Sequence, residues 1–361
     1  MKYLKLFETE NDRNTYENSE SYIEPYVSCL NGGGVVHYNK PPFFCRLTLS
    51  DDSVVEIDGS GEINGTQIYP YRNSGVTSVE LGKNCTSIGG AAFNYITTLS
   101  SITIPNTVTV IGPAAFQSCS SLSSITIPNT VTTIKEVAFQ RSGLIDINIP
   151  DSVTSIGTNC FDECPNLRTA IIGNGMTTLT SHIFRCCYNL TDVTISNGVT
   201  NIDNYTFNQC SGLTSITIPD SVTNIGNGVF YWCKSLSSIT IPDSVISIGE
   251  YAFDTCSGLT SVDIPDSVTS IGGSAFYGCT SLSSVTIPNS VTSINNYAFY
   301  GCSSLTSVTV EATTPPTLSN GVFDSNASGR KIYVPAESVN AYKAASNWST
   351  YAADIEAIPT P

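Results

Sequence analysis

Apolar residues recur with a fixed spacing through most of this 361-residue chain. A column of phenylalanines shows the period best, because only two of its ten steps differ from 23 residues. Its members are Phe93, Phe116, Phe139, Phe161, Phe184, Phe207, Phe230, Phe253, Phe276, Phe299 and Phe323. A leucine column from Leu99 to Leu305 keeps the same phase. A fixed period of about 20–29 residues indicates a solenoid, in which each repeat buries its apolar side against its neighbours.

The repeat at residues 213–235 illustrates the elements that this pattern predicts. Ile216 and Ile218 alternate with polar residues, which is typical of a strand with one buried face. We expect this strand to join a parallel ladder and to end at Pro219, because proline has no backbone N–H to donate. A return segment with two inward apolar residues follows, and Phe230 lies in a short helical turn before the next repeat.

These elements predict an α/β solenoid dominated by β structure, with a parallel strand ladder and short helical turns. Residues 75–310 would form about ten rungs of 23 residues. Residues 1–74 do not follow the period and are interpreted as an N-terminal capping or anchoring segment, with a short acidic helix at 9–18 and strands at 35–38 and 43–49. Residues 311–361 are expected to form a C-terminal cap of one strand and a short helix, because open solenoid ends must be covered.

The repeat also resembles that of a known family. The pattern Leu-x-x-Ile-x-Ile-Pro-x-x-Val-x-x-Ile-Gly-x-x-Ala-Phe-x-x-Cys is similar to the 23-residue leucine-rich repeats of bacterial BspA-like (Treponema-type) proteins, and it covers about 230 of 361 residues. The rung that begins at Leu167 departs most, with Gly173 in place of proline and Met176 in place of valine. The tail resembles the closing segment of such proteins in Bacteroidales. The resemblance implies a leucine-rich repeat solenoid that binds proteins in adhesion or host interaction.

Composition and charge narrow the range of partners. Only 12% of residues are charged, and the formal net charge is −15. No basic patch is present, so nucleic acid and anionic membrane surfaces are not expected partners. Met1–Glu8 lacks the apolar run of about 7–15 residues that a secretory signal requires, and no segment approaches a membrane span. The resemblance implies a cell-surface or extracellular location, with a cytoplasmic or virion-associated location as the alternative.

Eight of the thirteen cysteines belong to the repeat. They lie three residues after their phenylalanine: Cys119, Cys164, Cys187, Cys210, Cys233, Cys256, Cys279 and Cys302. Stacked rungs place equivalent residues about 4.8 Å apart, more than the ~3.8 Å between Cβ atoms that a disulfide prefers. This column is therefore expected to contain small buried thiols. The pairing of Cys29, Cys45, Cys85, Cys160 and Cys186 stays open.

Catalytic and metal-binding patterns are weak. The chain has only two histidines, His37 and His182, and neither has a positioned acid or nucleophile in the sequence. We therefore expect no enzymatic activity, no cofactor and no metal. The densest metal-like cluster contains Cys160, Cys164, His182, Cys186 and Cys187, and it is interpreted as packing because most of its members occupy repeat positions.

Two surfaces are candidate protein-binding sites. The first interrupts a strand face that carries only serine and threonine in most rungs, and it consists of Asp146, Asn148, Arg168, Ile171 and Asp192. An exposed isoleucine among charges suits a contact site. Neutral variation in a tolerant rung is the alternative.

The second surface is aromatic and contains Tyr205, Tyr231, Trp232, Tyr251, Tyr277, Tyr297 and Tyr300. Tyrosine and tryptophan combine apolar area with a polar group, which suits interfaces. The alternative is that these rings shield the turn layer from water, and a glycan ligand is a less favoured reading.

Two functional hypotheses follow. In the first, the solenoid binds a protein partner such as an extracellular-matrix or host surface protein. In the second, it is a structural display scaffold of a surface or phage-like assembly, without a high-affinity ligand of its own.

Overall fold

The computed structural model describes residues 43–359 with their side chains, and residues 4–5, 25–29 and 35–39 as backbone strands. Those three strands, β1 (Leu4–Lys5), β2 (Pro25–Cys29) and β3 (Val35–Asn39), form an antiparallel sheet with β3 in the centre. The strand expected at 35–38 is therefore confirmed. The helix expected at 9–18, and the side chains of Cys29 and His37, lie outside the described residues.

A β-hairpin precedes the repeats. It consists of β4 (Cys45–Leu49) and β5 (Val54–Ile57), which confirms the second expected strand. A short helix, α1 (Gly65–Ile68), follows, and the side chain of Asn64 caps it by accepting from the Thr66 N–H. A 3₁₀ turn at Tyr69–Tyr71 leads from this helix into the repeats.

The remaining strands of the chain build two parallel ladders. In chain order they are β6 (Gly61–Ile63), β7 (Val76–Leu81), β8 (Cys85–Ile88), β9 (Ser101–Thr103), β10 (Val110–Ile111), β11 (Thr133–Ile134), β12 (Asp146–Ile149), β13 (Ser155–Ile156), β14 (Thr169–Ile172), β15 (Thr178–Leu179), β16 (Asp192–Thr194), β17 (Asn201–Ile202), β18 (Asn224–Ile225), β19 (Ser247–Ile248), β20 (Ser270–Ile271), β21 (Ser284–Ile287), β22 (Ser293–Ile294), β23 (Ser307–Val310), β24 (Thr317–Leu318), β25 (Lys331–Val334) and β26 (Ile355–Ala357).

Most repeats contribute to both ladders. The front ladder includes β12, β14 and β16, and isolated bridges such as Thr217 to Thr240 continue it where no full strand forms. The return ladder runs from β6 to β13 and again from β15 to β24. Equivalent residues of successive repeats are paired, as Ile248 is with Ile271. The predicted parallel strand ladder is therefore confirmed.

The phenylalanine column forms the centre of the core. All eleven rings, from Phe93 to Phe323, are fully buried. Neighbouring rings are stacked, with centroid separations from 5.1 Å for Phe276 and Phe299 to 5.7 Å for Phe184 and Phe207. One ring per rung therefore sets the spacing of the interior.

The cysteine column has a polar role that the sequence did not reveal. All twelve cysteines among residues 43–359 are free and buried. Each column thiol donates to the carbonyl of the phenylalanine in the preceding repeat, as Cys233 Sγ does to Phe207 O at 3.1 Å. Burial raises the pKa of the Cys119 thiol to about 12, so the proton needed for this bond is retained at neutral pH. The column thus ties each repeat to the one before it.

The turn around each phenylalanine forms a third hydrogen-bonded wall. Backbone N–H groups reach the next repeat, as that of Phe207 reaches the Val229 carbonyl at 2.9 Å. The residues two before and two after each phenylalanine have left-handed backbone angles, for example φ 57° at Tyr205 and 61° at Gln209. We name this surface the turn wall.

The C-terminal region continues the front ladder through β25 and β26. Between them lie a 3₁₀ turn at Ala336–Ser338, the helix α2 (Val339–Ala344) and a second 3₁₀ turn at Trp348–Tyr351. Trp348 and Tyr342 are fully buried, and their polar atoms donate to the carbonyls of Pro316 and Ala312 at 2.8 and 2.7 Å. This segment therefore packs on the last repeats through large aromatic side chains.

Candidate functional site

The strand-face patch lies on β12, β14 and β16 of the front ladder. The register pairs Asp146 with Thr169 and Thr169 with Asp192, and the Thr169 hydroxyl donates to the Asp146 carboxylate. Arg168 lies one residue before this position and is exposed. The register therefore places Thr169, and not Arg168, between the two aspartates.

A groove of about 780 Å³ opens at the end of these strands. Its lining includes Pro150, Gly173 and Ser196, which occupy the strand-ending position of three successive repeats. That position is proline in most repeats, so the loss of two consecutive rings accounts for the opening. Asn148 and Ile171 also line the groove, whereas Asp146, Arg168 and Asp192 do not. The 48% exposure of Ile171 makes it the main apolar contact of this surface.

The opposite wall of the groove consists of amides and a carboxylate from the turns after the strands. Asp151 accepts from the backbone N–H of Asn174 at 2.7 Å, which bonds one turn to the next. Asn129 and Asn197 continue this wall. The groove thus combines one apolar side with a side rich in hydrogen-bonding groups, a combination that suits protein recognition.

The aromatic surface lies on the turn wall. Trp232, Tyr251, Tyr277 and Tyr297 are between 38% and 46% exposed. Tyr205, Tyr231 and Tyr300 are half-buried.

The rings of this surface form separate clusters. Tyr277 and Tyr300 are stacked with centroids 5.1 Å apart, and Tyr297 meets Tyr300 edge to face at 5.7 Å. Tyr231 and Trp232 form a second pair at 6.0 Å. Lys234 extends this pair, because its Nζ lies 4.4 Å above the Trp232 ring.

A polar ladder on the same wall was missed by sequence reasoning. It occupies the position directly after each phenylalanine and consists of Asn94, Gln117, Gln140, Asp162 and Arg185. Each amide donates to the next side chain, with distances of 3.1, 2.6 and 2.8 Å from Asn94 to Asp162. The signal was present in the sequence, because these residues share one repeat position.

The ladder ends in a buried ion pair. The side chain of Asp162 is fully buried, and Arg185 binds both of its oxygens through Nε and Nη2 at 2.8 Å each. This bidentate geometry is the strong form of an arginine–carboxylate contact. The negative charge of Asp162 is thus neutralised within the turn wall.

A second carboxylate at the same repeat position has no such partner. Asp254 is only 8% exposed, and its side chain accepts from the Thr255 hydroxyl at 2.7 Å. Within residues 43–359 it forms no ion pair, and it lies one rung after Tyr231 and one rung before Tyr277. Burial raises the pKa of Asp254. The pKa of Tyr231 is raised by burial and, to a lesser extent, by the Asp254 charge.

The cluster of cysteines and His182 lies partly in the core, where the cysteines are buried, and partly at the edge of the core, where His182 is half-buried. Within the side-chain-described region, no three of its histidine, cysteine and carboxylate side chains are grouped as metal ligands. His182 stacks on Tyr205 with centroids 5.2 Å apart, and burial lowers its pKa. Cys160 and Cys164 are fully buried. Their contacts are those of packed side chains.

Two parallel ladders, stacked phenylalanines and a 23-residue step define a leucine-rich repeat solenoid. The sequence profile of the BspA type leucine-rich repeat region, in six copies, matches residues 64–189, 132–256 and 223–349. These matches overlap and together span well over half of the chain. The chain therefore belongs to the BspA-type leucine-rich repeat family. No curated protein sequence matches it significantly.

Solved structures with a similar fold come from several bacteria. A leucine-rich repeat protein of Bacteroides ovatus is 22% identical with a TM-score of 0.52, and the match covers 94% of this chain and all of that one. A leucine rich cell surface protein of Faecalibacterium prausnitzii is 26% identical, with a TM-score of 0.44 and coverages of 80% and 95%. The pneumococcal vaccine antigen PcpA is 18% identical, with a TM-score of 0.45 and coverages of 94% and 98%. The first of these supports the fold.

Among the described residues, the helices are all too short or too polar to cross a bilayer.

Proposed function

We propose that this chain is a protein-binding scaffold that acts at a cell surface, in adhesion or in contact with a host. Its membership in a leucine-rich repeat family supports protein interaction as the general role. Cell-surface location is the part of the proposal that the family suggests but that needs direct measurement. We assign no catalytic role to the chain.

The observation that carries the proposal is the groove on the front ladder. It interrupts a face on which most repeats carry serine and threonine, and it combines the half-exposed Ile171 with the amides of Asn148 and Asn174. Contact energy at interfaces concentrates in a few apolar or aromatic anchors that are surrounded by polar groups. Ile171 is the anchor that this surface offers.

The ends of the solenoid are part of the same proposal. We propose that residues 1–74 and 311–361 cover the two ends of the solenoid at 75–310. The antiparallel pairing of β4 with β7 and the burial of Trp348 support this assignment, because both satisfy groups that an open end would expose.

The groove is tested by one substitution with a matched control. The full 361-residue chain is immobilised and measured by biolayer interferometry against a panel of purified extracellular-matrix glycoproteins. Ile171→Asp is expected to weaken binding of the partner about tenfold or more, as loss of a central anchor does. Ile246→Asp is the control, because Ile246 is 56% exposed but lies beside β19 on the return ladder.

Equal binding by both variants would remove the groove from the proposal. Binding of the wild-type chain to no member of the panel, together with no adherence of chain-coated beads to epithelial cells, would favour a display scaffold instead. Fractionation of the native protein decides its location separately.

A further inference from the structure

The turn wall holds a buried negative charge that the described chain does not neutralise. Asp254 keeps 8% of its surface exposed, and its side chain is bonded to the Thr255 hydroxyl. Burying a carboxylate without a counter-charge is costly, and natural proteins usually pair such groups. The equivalent carboxylate, Asp162, follows that rule through Arg185. Asp254 is the exception that needs an explanation.

The surroundings of Asp254 are aromatic. Tyr231 and Tyr277 hold the same repeat position on the rungs before and after it, and Tyr251 lies three residues upstream on its own rung. Tyr251 and Tyr277 are 41% and 38% exposed, so both present apolar and polar surface to solvent at repeat positions adjacent to Asp254. Ring faces carry negative potential and attract cations.

The same wall already binds one cation in this way. Lys234 places its ammonium 4.4 Å above the Trp232 ring, one rung before Asp254. Within residues 43–359 that lysine forms no ion pair with Asp254. A cation therefore already lies on an aromatic ring of this surface, one rung from Asp254.

We propose that the cluster of Asp254, Tyr231, Tyr251 and Tyr277 accepts an arginine side chain of a protein partner. This inference rests on the proposed protein-binding function and adds the chemical class of one contact. A guanidinium supplies the missing positive charge and presents a flat face that stacks on tyrosine, which an ammonium does not. The net charge of −15 also favours a partner with basic residues.

Charge and hydrogen bonding favour a cation over a glycan at this cluster. Sugar hydroxyls require several donors and acceptors, whereas among residues 43–359 the Asp254 side chain forms a single hydrogen bond, which it accepts from the Thr255 hydroxyl. A site with one unpaired acceptor charge and aromatic faces matches a cation more closely. The glycan is therefore an outcome of the test and not part of the proposal.

Saturation-transfer difference NMR on the full chain tests this directly. The probes are Nα-acetyl-arginine methylamide, Nα-acetyl-norleucine methylamide as the uncharged analogue, and methyl β-galactoside, at 150 and 500 mM NaCl. The arginine probe is expected to bind with a dissociation constant in the millimolar range and at least about tenfold more tightly than the norleucine probe. Its binding is expected to persist at the higher salt, because the site is largely desolvated.

Two variants and one control assign the binding to the cluster. Asp254→Asn keeps the shape and the bond from Thr255 but removes the charge, and Tyr277→Ala removes one ring. Each is expected to weaken the arginine probe about tenfold, which corresponds to ~1.4 kcal/mol. Asp263→Asn removes an exposed carboxylate on the front ladder and is expected to change nothing. Circular dichroism confirms that each variant is folded.

Each contrary result has a distinct meaning. Equal binding by Asp254→Asn would overturn the proposal, because it would assign the signal to the general negative charge. Tighter binding of the galactoside would overturn it in favour of a glycan site. If the arginine probe fails while matrix binding depends on Ile171, only this inference is lost. If the arginine probe binds and no matrix protein does, the cation site is supported and the proposed adhesion role is rejected.

Discussion

The position directly after the phenylalanine differs sharply between the two halves of the turn wall. From Asn94 to Arg185 it holds amides and an ion pair that bond to one another along the stack. From Asn208 to Tyr300 it holds tyrosines and Asp254, which form no such chain of side-chain bonds among the described residues. Each half also contains one buried amide oxygen without a partner in the described region, Oδ1 of Asn94 and Oδ1 of Asn208. The backbone of the wall is the same in both halves.

This difference shows which columns carry information about function. The interior columns are set by stacking, so phenylalanine recurs in all eleven repeats and cysteine in eight of them. The wall position ranges from the fully buried Asp162 to the exposed Tyr277, and its side chains can be satisfied either by their neighbours or by an external group. A column with that freedom can distinguish one part of the solenoid from another, as the exposed strand positions around Ile171 also do.

The largest expected effect tests whether the two halves of the turn wall cover one continuous core. Phe139→Ala and Phe276→Ala are each expected to lower the free energy of unfolding by about 3–5 kcal/mol, the cost of truncating a buried phenylalanine. Both rings are fully buried and stacked on both sides. Urea denaturation followed by circular dichroism measures the change. A loss confined to one variant would mean that the two halves differ in the core as well as in the wall.

The next prediction concerns the half of the turn wall from Asn94 to Arg185, whose side chains bond to one another. Arg185→Ala is expected to cost about 2–4 kcal/mol, because it leaves the fully buried Asp162 without its counter-charge. The value lies below that of a wholly buried pair since the Arg185 side chain is 33% exposed.

Arg141→Ala provides the comparison for that variant. Arg141 forms an ion pair with Glu163 at 2.8 Å, but its side chain is 53% exposed, so the expected cost is at most about 1 kcal/mol. Equal unfolding midpoints for the two variants in the same urea titration would contradict the contribution assigned to the buried pair.

Much of this fold could be predicted from the sequence, because a period makes each column visible. The inward phenylalanines, the buried cysteines and the strand that ends at proline all follow from spacing alone. The left-handed backbone at Tyr205 could not be read in this way, since tyrosine rarely adopts that conformation. It is imposed by the hydrogen bonds of the turn wall to the next repeat.

The candidate sites were predictable only in part. Ile171 was identified because it breaks a column of hydroxyls, but the groove beside it arises from two missing proline rings that act together. The sequence did not single out Asp254, because an aspartate in a polar turn is common and its burial is visible only in the structure. Such properties depend on the distance between rungs and not on sequence spacing.

A smaller effect than that of Arg185→Ala is expected at the left-handed position two residues before the phenylalanine, and it again contrasts the halves. Gly228→Ala is expected to cost about 1–2 kcal/mol, because its new Cβ would lie 2.3 Å from Cε1 of Tyr205 at φ 59°. Ala114→Gly, at φ 54° in the other half, is expected to be neutral or to stabilise by up to about 1 kcal/mol. Urea midpoints measure both changes, and a shared sign would show that backbone strain is not what separates them.

The 23-residue pairing between rungs also shapes how the chain reaches this structure. The ladder bonds join residues about one repeat apart, so a folding nucleus closes only a short loop and loses little chain entropy. Any adjacent pair of repeats can then serve as the starting point, and order spreads from it in both directions along the chain. The solenoid can therefore gain or lose whole repeats over evolutionary time without acquiring a slower folding route.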